Sequence, residues 1–331
     1  MAEAEALTEI WRGPFLESLH RGHAVICDAS GDTQEVWGDA EKVILPRSSC
    51  KMLQALPLLE SGAADAAGLT DEHLALACAS HEGAAIHTER VARWLDDLGL
   101  SESDLRCGAH PPKDRAAKFA LIRAGLAPSQ LHNNCSGKHA GFLTLARHLG
   151  AGPEYIDPDH PVQKAVLAAF EEMTGETSPG HAFDGCSAPN FACTLTGLAR
   201  AMARMAQAQD AGDGRDRAAA RLVRAMTAHP ELVAGEGKAC TELMRAASGR
   251  AAVKTGAEGV YVAILPDLKL GVALKIEDGA TRASECSIAA LLCRLGVLDA
   301  AHPATRRVMD APVVNWRGME TGSIRPAPAL R

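Results

Sequence analysis

The chain has 331 residues, 47% of them hydrophobic and 23% charged, and a formal net charge of −7. That is the composition of an ordinary globular protein long enough for one large domain or two sharing a core. It has no basic stripe to neutralise phosphates, which excludes nucleic acid as a main partner. It has no apolar run of roughly 18 residues, the length needed to span a membrane.

The acidic stretch Met1 to Glu9 lacks the positive-then-apolar order of a secretory signal. A cytoplasmic protein is therefore expected. The ten cysteines show no regular spacing, so they read as free, structural or metal-binding, not as disulfides. Cys27, Cys78, Cys193, Cys286 and Cys293 lie in apolar runs and read as buried small hydrophobes.

In chain order, residues 22–28 and 34–38 run apolar or alternate, with the turn Ser30-Gly31-Asp32 between them: a β-hairpin. Apolar residues at three- and four-residue spacing then predict helices over 49–60, 72–79, 85–98, 115–124, 137–149, 161–174, 191–208 and 215–228. The small polar stretch Gln207 to Asp216 reads as a surface loop. A second hairpin follows over 259–265 and 270–276, broken at Pro266-Asp267, then a helix over 284–295. Residues 311–325 form a short strand or an extended tail.

The expected fold class is therefore α/β (α+β) in a single domain spanning 1–331. Strands from both ends (about 10–45 and 250–325) meet in an antiparallel sheet flanked by helices, with a helical region (about 46–249) inserted between.

Two short motifs about 200 residues apart carry the chemistry. Ser48-Ser49-Cys50-Lys51 puts a hydroxyl and an amine three residues apart, on one face of a helical turn. Lys254-Thr255-Gly256 enters the second hairpin with another amine, and its glycine lets backbone approach a ligand. Ser-x-x-Lys with Lys-Thr-Gly is the acyl-transfer layout of penicillin-binding proteins and serine β-lactamases. A serine needs a base to become nucleophilic, and a lysine serves if burial or a nearby cation such as Arg47 favours its neutral form. The bland alternative is a serine N-cap and a solvated lysine.

Ser80, in Cys78-Ala79-Ser80-His81-Glu82-Gly83, is either a helix-end cap or a second serine paired with Lys254. Two further polar loops stand out. One is His132 to His139, in which Cys135 and Lys138 share a face. The other is Asp184-Gly185-Cys186-Ser187, expected to lead into a helix. Both loops are read as bringing a cysteine to a helix N-terminus, where thiolate is favoured. Two thiolates and a third donor suit Zn²⁺, although no Cys-x-x-Cys is present and lysine is a rare ligand. Asp184 reads either as a partner for a substrate ammonium or as a turn former.

The segments Ser48 to Gln54, Cys135 to Gly141, Asp184 to Pro189, His229 to Gly235 and Lys254 to Gly259 together resemble the Rhizobium etli-type (class 3) L-asparaginases, over about residues 10–325. The resemblance implies a serine β-lactamase-like fold, a homodimer, and hydrolysis of L-asparagine to L-aspartate and ammonia. It implies a zinc ion held by Cys135, Lys138 and Cys186, with a substrate-site role. It also implies two tandems, Ser48–Lys51 and Ser80–Lys254, with Arg47, His139 and Asp184 binding substrate. The Ser-Asp-Asn motif of the β-lactamases is missing. The alternatives are a penicillin-recognising peptidase or esterase, and a non-catalytic zinc-binding protein of the same fold.

Overall fold

A computed structural model describes residues 2–331; Met1, the first residue of the acidic N-terminal stretch, lies outside it. In chain order the elements are β1 (Glu5–Arg12), β2 (Phe15–Cys27), β3 (Thr33–Trp37), β4 (Val43–Ile44), α1 (Lys51–Glu60), α2 (Ala63–Ala66), α3 (Asp71–Ala77), α4 (Ala85–Asp97), α5 (Arg115–Ala124), α6 (Ser136–His148) and α7 (Pro161–Thr174). They continue with β5 (His181–Phe183), β6 (Pro189–Phe191), β7 (Cys193–Thr194), α8 (Leu195–Gln207), α9 (Gly214–Ala228), α10 (Pro230–Val233) and α11 (Ala239–Ala247). The chain closes with β8 (Ala252–Thr255), β9 (Val260–Leu265), β10 (Leu270–Ile276), α12 (Thr281–Arg294), α13 (Pro303–Arg306), β11 (Ala311–Val314) and β12 (Glu320–Pro326). The chain divides into two compact units: residues 1–49, 193–207 and 239–331, and residues 50–192 and 208–238.

The first unit is built on an eight-stranded antiparallel sheet in the order β11-β12-β1-β2-β10-β9-β8, with β3 paired to β2. N- and C-terminal strands thus meet twice, at β1–β12 and β2–β10. Every residue of β9 is buried, as are Gly22–Cys27 of β2. Such continuous apolar runs belong to strands covered on both faces. α8 packs on β10, β2 and β9, and α12 packs on β9, β12, β1 and β10.

The second unit is a helical body around α1 and α6. α1 contacts α7, α9, α6 and α3, and α6 contacts α3, α4 and α7. Residues 136–146 of α6 are all buried, as expected of a helix packed on every side.

Both expected hairpins form, as β2–β3 and β9–β10. The antiparallel plan with an inserted helical region is as expected. The differences are local. Leu7 and Ile10 of β1 face inward, but Glu5 and Glu9 mask the alternation. The helix expected from 191 begins only at Leu195, because Pro189–Phe191 and Cys193–Thr194 pair as strands with His181–Phe183 and Val43–Ile44. The C-terminal tail is a full hairpin, β11–β12. α8 and α11 belong with the sheet.

Candidate active site

In the sheet unit the segment after Pro46 makes a 3₁₀ turn, Arg47–Cys50, entered through a left-handed Arg47 (φ 55°). Ser49 Oγ donates to Pro46 O (2.7 Å) and closes the turn, leaving Ser48 half-buried. Lys254, on β8, is 1% exposed, and its Nζ donates to Thr255 O (2.9 Å). Gly256 sits against this turn: a Cβ there would lie 2.6 Å from Pro46 O and 3.3 Å from Ser49 Cβ. Only glycine allows the strand end of Lys254 to lie so close to the Ser48 turn. Behind β8, Thr255 N donates to Cys240 Sγ (3.3 Å), which in turn meets Tyr261 Oη (3.0 Å). α11 braces the strand through this thiol, which burial pushes towards its protonated form.

In the helical unit, Lys51 is the first residue of α1 and is 1% exposed. Its Nζ donates to Ser80 Oγ (3.0 Å), Cys135 Sγ (3.1 Å) and the Ala79 carbonyl. Ser80 follows α3; its loop is pinned by Ser80 N donating to Val233 O (2.9 Å) and His81 N donating to Asn134 O (3.1 Å). Cys135 is the N-cap residue of α6, held by its N–H to Asn133 Oδ1 (2.9 Å). Gly137 admits the carbonyl of Leu76, so the start of α6 rests on the end of α3.

Lys138 Nζ lies 3.1 Å from Cys186 Sγ. Cys186 and Asp184 sit in the turn of the β5–β6 hairpin, where Asp184 Oδ1 accepts from Gly185 N (2.7 Å). His139, wholly buried, meets Tyr155 Oη through Nδ1 (2.9 Å), while its Nε2 has no hydrogen-bond partner.

The thiols depart from expectation. Cys186 is on a hairpin turn, not at a helix N-terminus, because Pro189–Phe191 continues as strand. Cys135 does cap a helix, yet its pKa is pushed well up, first by donating its hydrogen to Cys186 and then by burial. Cys186 is held well below the usual thiol range by that same bond; burial opposes this, while Lys138 and His139 add to it. The two thiols are thus pushed in opposite directions, and the one at the helix N-terminus is the one pushed up. Burial works against the charge of Lys138, but Cys186 and Cys135 together raise its pKa.

Cys135, Lys138 and Cys186 are each at most 4% exposed. Two sulfurs and an amine are a donor set that Zn²⁺ accepts once the protons of Cys135 and Lys138 leave. Among the described residues no three His, Cys, Asp or Glu side chains gather as a metal site, so a zinc ion here would need the amine as third donor. All ten cysteines are free, and of those expected in the core only Cys293 is partly exposed.

Of the residues singled out in sequence, Lys51, Ser80, Cys135, Lys138, His139, Asp184 and Cys186 belong to the helical unit. Arg47, Ser48 and Lys254 belong to the sheet unit. Tyr155 and Cys240 carry no motif. The only hint for the former is that the chain has just two tyrosines. No helix among the described residues is long and apolar enough to cross a membrane.

A model of the L-asparaginase II family matches residues 8–326. No curated protein matches the chain. Among solved structures it is similar to a beta-lactamase from Mycobacterium bovis (14% identity, TM-score 0.46, covering 82% of this chain and 94% of that one). It is also similar to Mglu in its native form (15%, 0.47, 85% and 66%) and to the D-alanine carboxypeptidase AmpC from Burkholderia cenocepacia (11%, 0.36, 84% and 91%).

Proposed function

The chain belongs to the L-asparaginase II family, and from that premise we propose that it hydrolyses the side-chain amide of L-asparagine to L-aspartate and ammonia. The observation that carries the chemistry is the buried Lys51 amine 3.0 Å from Ser80 Oγ. A serine within hydrogen-bond reach of a basic side chain is the arrangement of an activated nucleophile. Within the family we read the chain as Rhizobium etli-type, a reading the quoted motifs support.

By motif, Ser48 attacks the amide carbon and the Lys51 amine takes its proton; the bond from Lys51 to Ser80 Oγ makes Ser80 the alternative nucleophile, and the two serine variants below distinguish them. The oxyanion is stabilised by backbone N–H groups at the start of the Ser48 turn. Ammonia leaves with a returned proton, and water cleaves the ester to release L-aspartate. Ser80, bonded to the same amine, relays protons, with Lys254 as the second amine. Asp184 binds the α-ammonium; Arg47 and His139 orient the carboxylate and carboxamide. Cys135, Lys138 and Cys186 would hold zinc, which would shape the substrate site without activating the hydrolytic water. The protein acts as a cytoplasmic homodimer on a small substrate.

The test is an ammonia-release assay with L-asparagine, L-glutamine, D-asparagine and acetamide, with and without added zinc, on wild type, Ser48→Ala, Ser80→Ala and Lys51→Ala. L-Asparagine should be preferred by orders of magnitude over acetamide, because a pocket built for both charged α-groups rejects a substrate lacking them. Lys51→Ala should be inactive, and Ser48→Ala should form no acyl-enzyme. Neutral-pH turnover by Lys51→Ala removes the amine from the mechanism. Equal turnover of acetamide removes the amino-acid substrate.

A further inference from the structure

The loop from β8 to β9 follows directly on Lys254 and turns through a disfavoured backbone. Glu258 and Gly259 both have positive φ (59° and 73°), and Val260 N donates back to Ala257 O (3.4 Å). These are the φ signs of a type I′ turn, whose central positions favour asparagine, aspartate and glycine. Gly259 suits that turn. Glu258 does not, because the left-handed region crowds any residue with a Cβ. Its side chain is exposed, so core packing does not hold it there.

Lys275 does. It lies on β10 opposite Val260, half-buried, and its Nζ donates to Glu258 O and to Ile276 O, both at 2.6 Å. An ammonium donating to a carbonyl is a charge-assisted bond, stronger than a neutral one. The turn is seated closely on the end of β10: Ile276 N donates to Gly259 O (3.0 Å), and a Cβ on Gly259 would lie 2.8 Å from Ile276 Cβ. The other limb of the loop is Gly256. Its N–H donates to Val260 O (2.7 Å), and its Cα lies against Pro46 O of the turn that carries Ser48.

We infer that Lys275 is a positioning residue: its ammonium holds the Glu258 carbonyl, and so keeps the β8–β9 loop in the strained turn that sets Lys254 and Gly256 against the Ser48 turn. The catalytic consequence rests on the asparaginase reading above. The clamp itself rests on the two bonds and the backbone geometry.

The experiment follows hydrogen exchange at the Gly256 amide in the full chain, with ammonia-release kinetics alongside, for wild type, Lys275→Met, Glu258→Gly and the double variant. Methionine keeps an apolar stem and removes the ammonium. Lys275→Met should speed exchange at Gly256 about ten- to a hundredfold, the size of one hydrogen bond to a charged group. The amides of Val262 to Ile264, buried in β9, should keep their wild-type rates. The same variant should lower kcat/KM for L-asparagine by about tenfold or more, the cost of a misplaced site. Glycine adopts positive φ freely, so Glu258→Gly should slow the exchange. In the double variant the two opposite effects should return exchange and kcat/KM to within about threefold of wild type. A lysine that merely stabilised the sheet would leave kcat/KM of the folded enzyme unchanged. Wild-type exchange at Gly256 in Lys275→Met overturns the inference, as does wild-type kcat/KM, or a double variant no better than Lys275→Met. If Lys275→Met does not fold, Glu258→Gly decides alone: slower exchange at Gly256 supports the clamp and unchanged exchange overturns it. If exchange follows the expected pattern but wild type releases no ammonia, the substrate reading fails and the clamp stands.

Discussion

Two glycines of α6, four residues apart, give a matched test of how the helix positions its site residues. A Cβ built on Gly137 would lie 2.8 Å from the Leu76 carbonyl carbon and 3.0 Å from Leu76 Cβ, with the Leu76 oxygen closer still. Ordinary contact begins near 3.4 Å, so the carbonyl carbon alone demands a separation greater by 3.4 − 2.8 = 0.6 Å. The obstruction is backbone and has no rotamer to escape into. Overpacking of this kind costs about 1–3 kcal/mol, against which alanine gains about 1 kcal/mol of helix propensity. Gly137→Ala should therefore lose at most about 2 kcal/mol in urea unfolding, with an unchanged m-value.

The larger effect should be on activity. The clash drives the start of α6, with Cys135 and Lys138, away from the end of α3 that leads to Ser80. Misplacement approaching 1 Å costs about a hundredfold in kcat/KM. At Gly141 the nearest atom is Leu58 Cδ2 at 3.4 Å, so Gly141→Ala should be tolerated and stabilise by about 0.5–1 kcal/mol. If Gly137→Ala matches wild type in both stability and turnover, the close approach of α6 to α3 is not what sets the site.

Acid should destabilise the fold early. His81 and His87 are fully buried and their pKa values are lowered, chiefly by burial; that of His81 lies well below 6.5. Below pH 6.5 the unfolded chain binds protons that these native imidazoles refuse, so stability falls as pH drops from 6.5 towards the folded values. Each histidine contributes a slope of up to about 1.4 kcal/mol per pH unit. Urea midpoints that stay flat between about pH 7 and 5.5 would contradict this. For the metal, Cys135→Ala should lower zinc content in elemental analysis and raise KM more than it lowers kcat; unchanged zinc would refute the ligand set.

The sheet was legible because its strands are short apolar runs bounded by turn residues. GHAVICD and GVYVAIL are buried on both faces, and nothing in them competes with the strand reading. β1 was not legible, because its buried Leu7 and Ile10 are flanked by Glu5 and separated by Thr8 and Glu9, which breaks the apolar alternation. The short pairs β4–β7 and β5–β6 have no periodicity of their own: β4 and β7 pair across about 150 positions, and β5–β6 is a hairpin of three-residue strands too short to show alternation.

The candidate site divides along the same line. The i, i+3 relation of Cys135 and Lys138 is a local property, and spacing alone finds it. That one amine, Lys51, meets a serine 29 positions away and a cysteine 84 positions away is a property of how α1, α3 and α6 pack. The thiols mark the limit of a local rule. A helix N-terminus lowers a thiol pKa by an interaction worth about 0.3–1 kcal/mol, up to about 2 in partly buried geometry. Here a second sulfur and burial act as well, and Cys186, on a turn with no helix, is the thiol held down while Cys135, at the helix N-terminus, is pushed up. The direction in which each thiol is pushed therefore depends on the side chains the fold brings to it: for Cys186, Cys135 as donor first, with Lys138 and His139 adding to it against burial.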